Sequence, residues 1–170
     1  MSKDQEKLEQ EFLKSYEDFA DAIFRHCYFR VSDRELAKDL VQETFARIWK
    51  YLAQGKIIQN IKAFLYKTAN NLIIDQYKKK KELSLDELTE AGVSLASDEN
   101  LKIQSQAEAK EVLSILNKLK PAYKEALTMR YFNELSVKEI AEILGESENN
   151  ISVRIHRAIN DLRKILKIYE

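Results

Sequence analysis

The segment Ser136–Leu166 restricts the fold most, because a turn glycine separates two stretches of helical period. Ala141 is small enough for two helices to cross closely, and Gly145 can take the left-handed backbone conformation that ends a helix. Ser147 can cap the following helix by accepting a hydrogen bond from a backbone N–H. Ile151 would then hold that helix against a core. The spacing predicts a helix-turn-helix.

The second helix of this motif has two different faces. An apolar stripe recurs at about 100° per residue and includes Ile151, Ile155 and Ala158. A helix-turn-helix usually places its second helix in the DNA major groove, so the other face predicts DNA binding. The alternative is an ordinary amphipathic helix with a solvated polar face. The side chains that could reach bases or phosphates are Asn149, Ser152, Val153, Arg154, His156 and Arg157.

Composition favours an all-α fold and excludes several other classes of protein. Three glycines and one proline in 170 residues leave few turn signals. The single cysteine, Cys27, excludes an internal disulfide and a cysteine-cluster zinc site, and we expect it to be an inert buried thiol. We expect no metal, no cofactor and no catalytic residues, since phosphate-loop and nucleophile–base signatures are missing. Without an apolar span or secretory signal, we expect a cytoplasmic protein that does not insert into membranes.

Charge is segregated along the chain, although the net charge is zero. Lys62–Lys81 contains six lysines and one acid, whereas Glu82–Glu99 contains six acids and no base. Local patches decide affinity for nucleic acid, and a neutral total favours a chain that holds DNA together with a larger partner. We predict two small helical domains, residues 1–81 and 107–170, joined by a flexible acidic linker over residues 82–106.

Helical period also divides the predicted domains into elements. In the first domain, Asp33 could cap a helix that Gly55 closes, and a further helix is predicted over Ile61–Lys79. In the second, Pro121 is placed to start a helix over Tyr123–Tyr131. The apolar residues that define the capped helix are Leu36, Leu40, Phe45, Ile48 and Leu52.

The lysine-rich helix allows two interpretations. It interleaves Phe64, Tyr66 and Tyr77 with lysines, and aromatic rings beside positive charge can stack on unpaired bases. Alternatively, Phe64 and Tyr66 belong to the core, and the terminal lysines merely favour the C-terminus of the helix. Periodicity alone favours the second interpretation.

Two separate segments resemble the extracytoplasmic-function sigma factors of the bacterial sigma-70 family. DLVQETFARIWKYL (Asp39–Leu52) and KAFLYKTANNLIIDQYKKKK (Lys62–Lys81) resemble region 2 of that family. Leu116–Leu166, with its RIHRA pattern, resembles region 4. Two motifs in the family's order and separation make the resemblance specific. It implies a sigma factor that binds core RNA polymerase and directs promoter-specific transcription initiation.

The resemblance also implies protein partners. In the family, the region 2 helix docks on the clamp helices of the largest polymerase subunit, and region 4 meets the flap of the second subunit. The matching positions for clamp binding are Asp39, Gln42, Glu43 and Trp49. Trp49 would suit an interface anchor, although burial in the domain core is an equal alternative. An anti-sigma factor is a typical further partner.

Promoter contacts are implied by position. Asn71 matches the asparagine of the family's Ala-x-Asn pattern, which implies contact with the −10 element. Region 4 would read the −35 element, with Arg154 on phosphate and Asn149, Ser152, Val153, His156 and Arg157 at or near the bases. Weaker candidates for the −10 strand are Gln59, Asn60, Lys62 and Lys67.

Departures from the family pattern concern promoter choice. Phe64 replaces a usual tryptophan, Asn149-Asn150 replaces a common Gly-Thr pair, and Ser152 replaces a frequent basic residue. The loss of this basic side chain predicts weak DNA binding by the chain alone. Two other functions stay open from the residues themselves, a stand-alone helix-turn-helix regulator and a helical protein-binding adaptor.

Overall fold

The computed structural model describes residues 2–86 and 103–168, in a chain that divides between Leu95 and Ala96 into two compact units. All regular structure in these described ranges is helical, so the all-α prediction is confirmed. Most of the predicted acidic linker, residues 87–102, lies outside the described residues. Its two ends are helical, because the preceding helix continues to Asp86 and the next begins at Ile103.

The described part of the first unit contains three helices, α1 (Lys3–Val31), α2 (Arg34–Ala53) and α3 (Ile61–Asp86). Ser32, with φ of 56°, ends α1 in the left-handed conformation. The predicted cap of α2 is confirmed, since Asp33 Oδ1 accepts a hydrogen bond of 3.1 Å from the Leu36 N–H. Gly55, with φ of 76°, lies in the turn after α2. The predicted third helix was too short at its C-terminal end.

The three helices of this unit enclose one core. Tyr66 is buried and meets His26 edge-to-face, with ring centroids 5.4 Å apart. Cys27 is also buried, and this burial raises the pKa of its thiol to about 12. The predicted burial of this thiol is therefore confirmed. Other fully buried side chains are Ile23, Ile48, Leu65 and Ile73.

The second unit contains α4 (Ile103–Leu116), α5 (Pro121–Leu127), α6 (Val137–Leu144) and α7 (Glu148–Ile168). Pro121 occupies the first turn of α5 as predicted. The helix predicted over Tyr123–Tyr131 instead changes to a wider π-helical turn at Thr128–Phe132.

The helix-turn-helix is formed by α6 and α7. Ser136 and Glu139 cap α6 reciprocally through two hydrogen bonds of 3.1 Å, which satisfy backbone donors at the helix start. Gly145 then takes φ of 66° at the turn. Ser147 Oγ accepts a 3.1 Å hydrogen bond from the Asn150 N–H, and Ile151 is fully buried. The predicted roles of Gly145, Ser147 and Ile151 are confirmed, and the cap formed by Ser136 and Glu139 adds to them.

Candidate nucleic-acid and protein interfaces

The polar face of α7 is open to solvent. Because Ile151, Ile155 and Ala158 hold the opposite face in the core, the side chains of this face point away from the unit. His156 Nε2 lies 3.4 Å from Asn160 Nδ2, one turn further along the helix. The face combines hydrogen-bonding groups with a permanent positive charge, which suits base edges and phosphates. Its exposed predicted residues are Asn149, Ser152, Val153, His156 and Arg157.

Arg154 is placed differently from the other predicted residues of α7. Its Nη2 lies 2.6 Å from Glu146 Oε2, and the two side chains are 22% and 34% exposed. Glu146 directly follows the turn glycine, so the ion pair joins the turn to the second helix. A phosphate would have to replace this carboxylate to reach the guanidinium.

The loop before α3 and the first turns of α3 gather the predicted −10 residues. Asn60 Oδ1 accepts a 3.1 Å hydrogen bond from the Ala63 N–H, so Asn60 caps the start of α3. Lys62 is half-buried. Asn60 is therefore both an exposed candidate for DNA contact and the residue that caps α3. The exposed members are Gln59, Asn60, Lys67 and Asn71.

Sequence reasoning missed an aromatic and apolar group beside this loop. The rings of Tyr51 and Phe64 lie 4.9 Å apart, and Lys56 Nζ lies 4.8 Å from the Tyr51 centroid. Ile57 is 85% exposed in the same loop. The one available signal was Phe64, which stands where the resembled family usually has tryptophan. Its half-burial against Tyr51, together with the burial of Tyr66, supports the core interpretation of these two aromatics.

A mixed acidic and apolar surface runs along α2. Asp39, Gln42 and Glu43 are exposed, while Leu40, Thr44 and Ile48 on the other side are buried. Glu43 forms a half-exposed ion pair of 3.0 Å with Arg47. A partner that meets this surface would therefore find two exposed carboxylates along one helix, one of them paired with Arg47.

Trp49 extends this surface into a shallow groove. The indole is half-buried, with its ring centroid 5.2 Å from that of Phe12 on α1. The groove has a volume of about 460 Å³ and is also lined by Glu9, Leu13 and Ala46. Leu13 is 58% exposed on its rim. Trp49 thus packs partly against the core and is partly exposed. The interface interpretation and the core interpretation each describe part of its surroundings.

The second unit contains an apolar groove of about 520 Å³. It lies between α4, the π-helical turn and the C-terminal half of α7. Tyr131 and Leu166 are 56% and 42% exposed at its edge. An exposed apolar groove of this size is typical of a surface that receives a helix or loop of another protein. Its apolar lining includes Val112, Ile115, Leu116, Phe132, Ile159 and Leu162.

Neither a cluster of metal-binding side chains nor a membrane-spanning helix is found among the described residues. Among them, no group of three histidine, cysteine or acidic side chains is arranged to hold a metal ion. None of the helices in the described ranges is long and apolar enough to span a bilayer.

Two family models match the chain. The model described as Sigma-70 region 2 matches residues 15–82, and the model described as Sigma-70, region 4 matches residues 109–162. The region 2 match includes α2 and most of α3. The region 4 match includes α6, the turn at Gly145 and most of α7. The predicted DNA-contacting and clamp-binding residues fall within the matched segments, whereas Glu9 and Leu13 of the Trp49 groove and Leu166 of the second groove lie outside them.

Curated relatives match over most of the chain. RNA polymerase sigma factor YlaC of Bacillus subtilis is 31% identical over 165 residues, which cover 95% of this chain and 93% of YlaC. ECF RNA polymerase sigma factor SigW of the same organism is 31% identical over 165 residues, covering 88% and 85%. ECF RNA polymerase sigma factor BldN of Streptomyces coelicolor is 30% identical over 162 residues. That match covers 91% of this chain but only 60% of BldN.

Solved structures support the fold. CnrH, in complex with the cytosolic domain of CnrY, matches with a TM-score of 0.73 at 21% identity, covering 95% of this chain and 91% of that one. The sigma factor RpoE of Bartonella quintana, in complex with the anti-sigma factor NepR, matches with a TM-score of 0.68 at 24% identity. The coverage there is 96% and 99%.

Proposed function

The chain belongs to the extracytoplasmic-function sigma factors of the sigma-70 family, and we propose that its exposed surfaces divide promoter recognition and polymerase binding between the two units. It is an RNA polymerase sigma factor that acts in promoter-directed transcription initiation. The division that we propose is a region 2 domain over residues 1–81, a linker over 82–106 and a region 4 domain over 107–170.

The main support for the proposal is the polar face of α7. We assign to this face the contacts with base edges of the −35 element, made by Ser152, Val153, His156 and Arg157, with Asn149 beside them at the helix start. Support comes from their shared exposure on a helix whose other face is fixed in the core. Arg154 would contact a phosphate only after its carboxylate partner gives way.

The −10 element is assigned to α3 and the loop before it. Asn71 would contact an unstacked base or its backbone, while Lys67 follows the phosphates and Gln59, Asn60 and Lys62 contribute further contacts. Separating a base from the duplex costs a few kcal/mol, so a small unit needs polymerase to provide additional contacts. The zero net charge of the chain agrees with this dependence.

Polymerase would bind both units. The clamp helices of the largest subunit meet Asp39, Gln42, Glu43 and Trp49, where carboxylates flank an aromatic edge. The flap of the second subunit occupies the apolar groove of the second unit, whose lining suits an amphipathic helix. Such a protein works in the cytoplasm and performs no covalent chemistry.

An anti-sigma factor is a further proposed partner. Two structural neighbours form such complexes, CnrH with the cytosolic domain of CnrY and RpoE with the anti-sigma factor NepR. The grooves of the two units offer apolar surface of the kind that such a protein could cover.

Run-off transcription with purified core polymerase and a promoter library tests the proposal. We expect defined start sites only when the chain is added, with −10 and −35 sequences shared among the selected promoters. A stand-alone regulator would instead bind its promoter tightly without polymerase. A protein-binding adaptor would show no promoter preference, and Arg157→Ala would leave it unaffected. Either result contradicts the proposed roles.

A further inference from the structure

A buried polar contact joins the C-terminal end of α1 to the middle of α3. Arg30 Nη1 donates a hydrogen bond of 2.7 Å to Asn70 Oδ1, and the two residues are 2% and 4% exposed. A guanidinium that is removed from water requires compensating partners, so the groups facing it cannot be exchanged freely. The contact therefore ties the two helices at one defined position.

Tyr77 makes a second tie on the same side of α3. Its hydroxyl donates a hydrogen bond to the Arg30 carbonyl oxygen, and the Arg30 guanidinium carbon lies 5.9 Å from the Tyr77 ring centroid. Asn70 and Tyr77 are two helical turns apart, about 10 Å along the axis and within about 20° of the same face. Two ties along one stripe oppose rotation of α3 about its own axis.

The residues proposed to read the −10 strand lie beside this stripe. Asn71 is next to Asn70 and about 100° further round the helix, and Lys67 lies one turn before Asn71 on the same exposed face. With side chains, a helix has a radius of about 5–6 Å, so a rotation of about 20° moves a side-chain end by about 2 Å. A displacement of that size breaks a hydrogen bond to a base.

We propose that Arg30, Asn70 and Tyr77 form a rotational lock that sets how α3 presents Asn71 and Lys67 to the −10 strand. Asn70 is a positioning residue that acts from inside the unit and does not touch DNA. The inference rests on the proposed −10 role of α3. It gives adjacent asparagines opposite tasks, one facing the core and the other facing the promoter.

The experiment uses the full chain bound to core polymerase, with Asn70→Ala as the main variant. Opening of the −10 region is followed by permanganate reactivity at saturating holoenzyme, on a promoter set with single-base changes in that element. We expect opening to slow by about tenfold or more and the −10 base preference to weaken, because small misplacements at a recognition site have large effects. Core affinity should stay within about threefold, since the α2 surface is untouched.

Three further variants make the test specific. Asn70→Asp keeps an acceptor for Arg30 and should restore the wild-type −10 preference. Tyr77→Phe removes only the hydroxyl and should shift opening in the same direction as Asn70→Ala by a smaller factor. Leu72→Ala, at a buried apolar position of the same helix, should lower the urea midpoint but keep the −10 preference.

The outcomes separate the lock from the proposed function. The lock is overturned if Asn70→Ala and Leu72→Ala give the same opening rates and the same −10 preference. If Asn70→Ala does not fold, an unchanged −10 preference and opening rate in Tyr77→Phe overturns the lock instead. Asn71→Ala tests the underlying function, since an unaltered −10 preference in that variant contradicts the role of α3 itself.

Discussion

Replacing Arg157 with alanine should weaken use of the −35 element without disturbing the fold. The side chain is exposed, while its neighbours Ile155 and Ala158 hold α7 in the core. Removing an exposed side chain changes the free energy of unfolding by about 0.5 kcal/mol or less. A guanidinium that is bidentate on guanine contributes about 1–3 kcal/mol of discrimination. The expected loss is therefore about 5-fold to 150-fold in affinity for a promoter with an intact −35 element.

The assay is equilibrium binding of reconstituted holoenzyme to labelled promoter fragments at one fixed salt concentration, with the −35 element intact or scrambled. Lys164→Ala is the matched control, because Lys164 is exposed on the same side of α7 two turns further from the helix start. We expect Arg157→Ala to lose affinity only on the intact fragment, and Lys164→Ala to affect both fragments equally. Equal losses on both fragments for Arg157→Ala would show that the residue contributes charge alone and refute base reading by Arg157.

Three other changes test separate parts of the structure. Gly145→Ala should lower the free energy of unfolding of the second unit by about 1 kcal/mol, since φ is 66° there and no atom lies within 4 Å of an added Cβ; urea denaturation measures it, and an unchanged midpoint would contradict the strain. Trp49→Ala should weaken core binding about 30-fold if the indole is a hot spot, and equal affinity in a competition assay would remove it from the interface. The Cys27 thiol should resist iodoacetamide at pH 8 until the protein unfolds. Because burial raises its pKa from 9.0 to about 12, the stability that it contributes is complete below pH 9 and is lost as pH rises towards 12, which a comparison with Cys27→Ala in urea would detect.

Local signals predicted the helix-turn-helix well. Gly145 and Ser147 each act through backbone groups within a few residues, so their roles can be inferred without knowing the tertiary fold. The Asp33 cap follows the same logic. The π-helical turn at Thr128–Phe132 has no comparable signal, because it depends on how the segment packs within its unit.

Contacts between residues far apart in the chain could not be predicted from the sequence. Asn70 and Asn71 are adjacent asparagines, and the sequence around them does not reveal that Asn70 bonds to Arg30, forty residues earlier. The family pattern predicts a phosphate contact for Arg154, but its Nη2 lies 2.6 Å from Glu146 Oε2 across the turn. Composition and period identify the helices, whereas the side-chain pairs between elements need their three-dimensional arrangement.

The division of the chain into two compact units has a quantitative consequence for how tightly each one must bind. Once one unit is bound, the other searches from a tethered position, at an effective concentration of about 1 mM for modules joined by a short chain. A unit with a dissociation constant of about 0.1 mM in isolation would then be bound about nine-tenths of the time. Each unit can therefore bind its own promoter element weakly and dissociate quickly when alone. The linked pair still occupies a promoter for a long time when both elements are present.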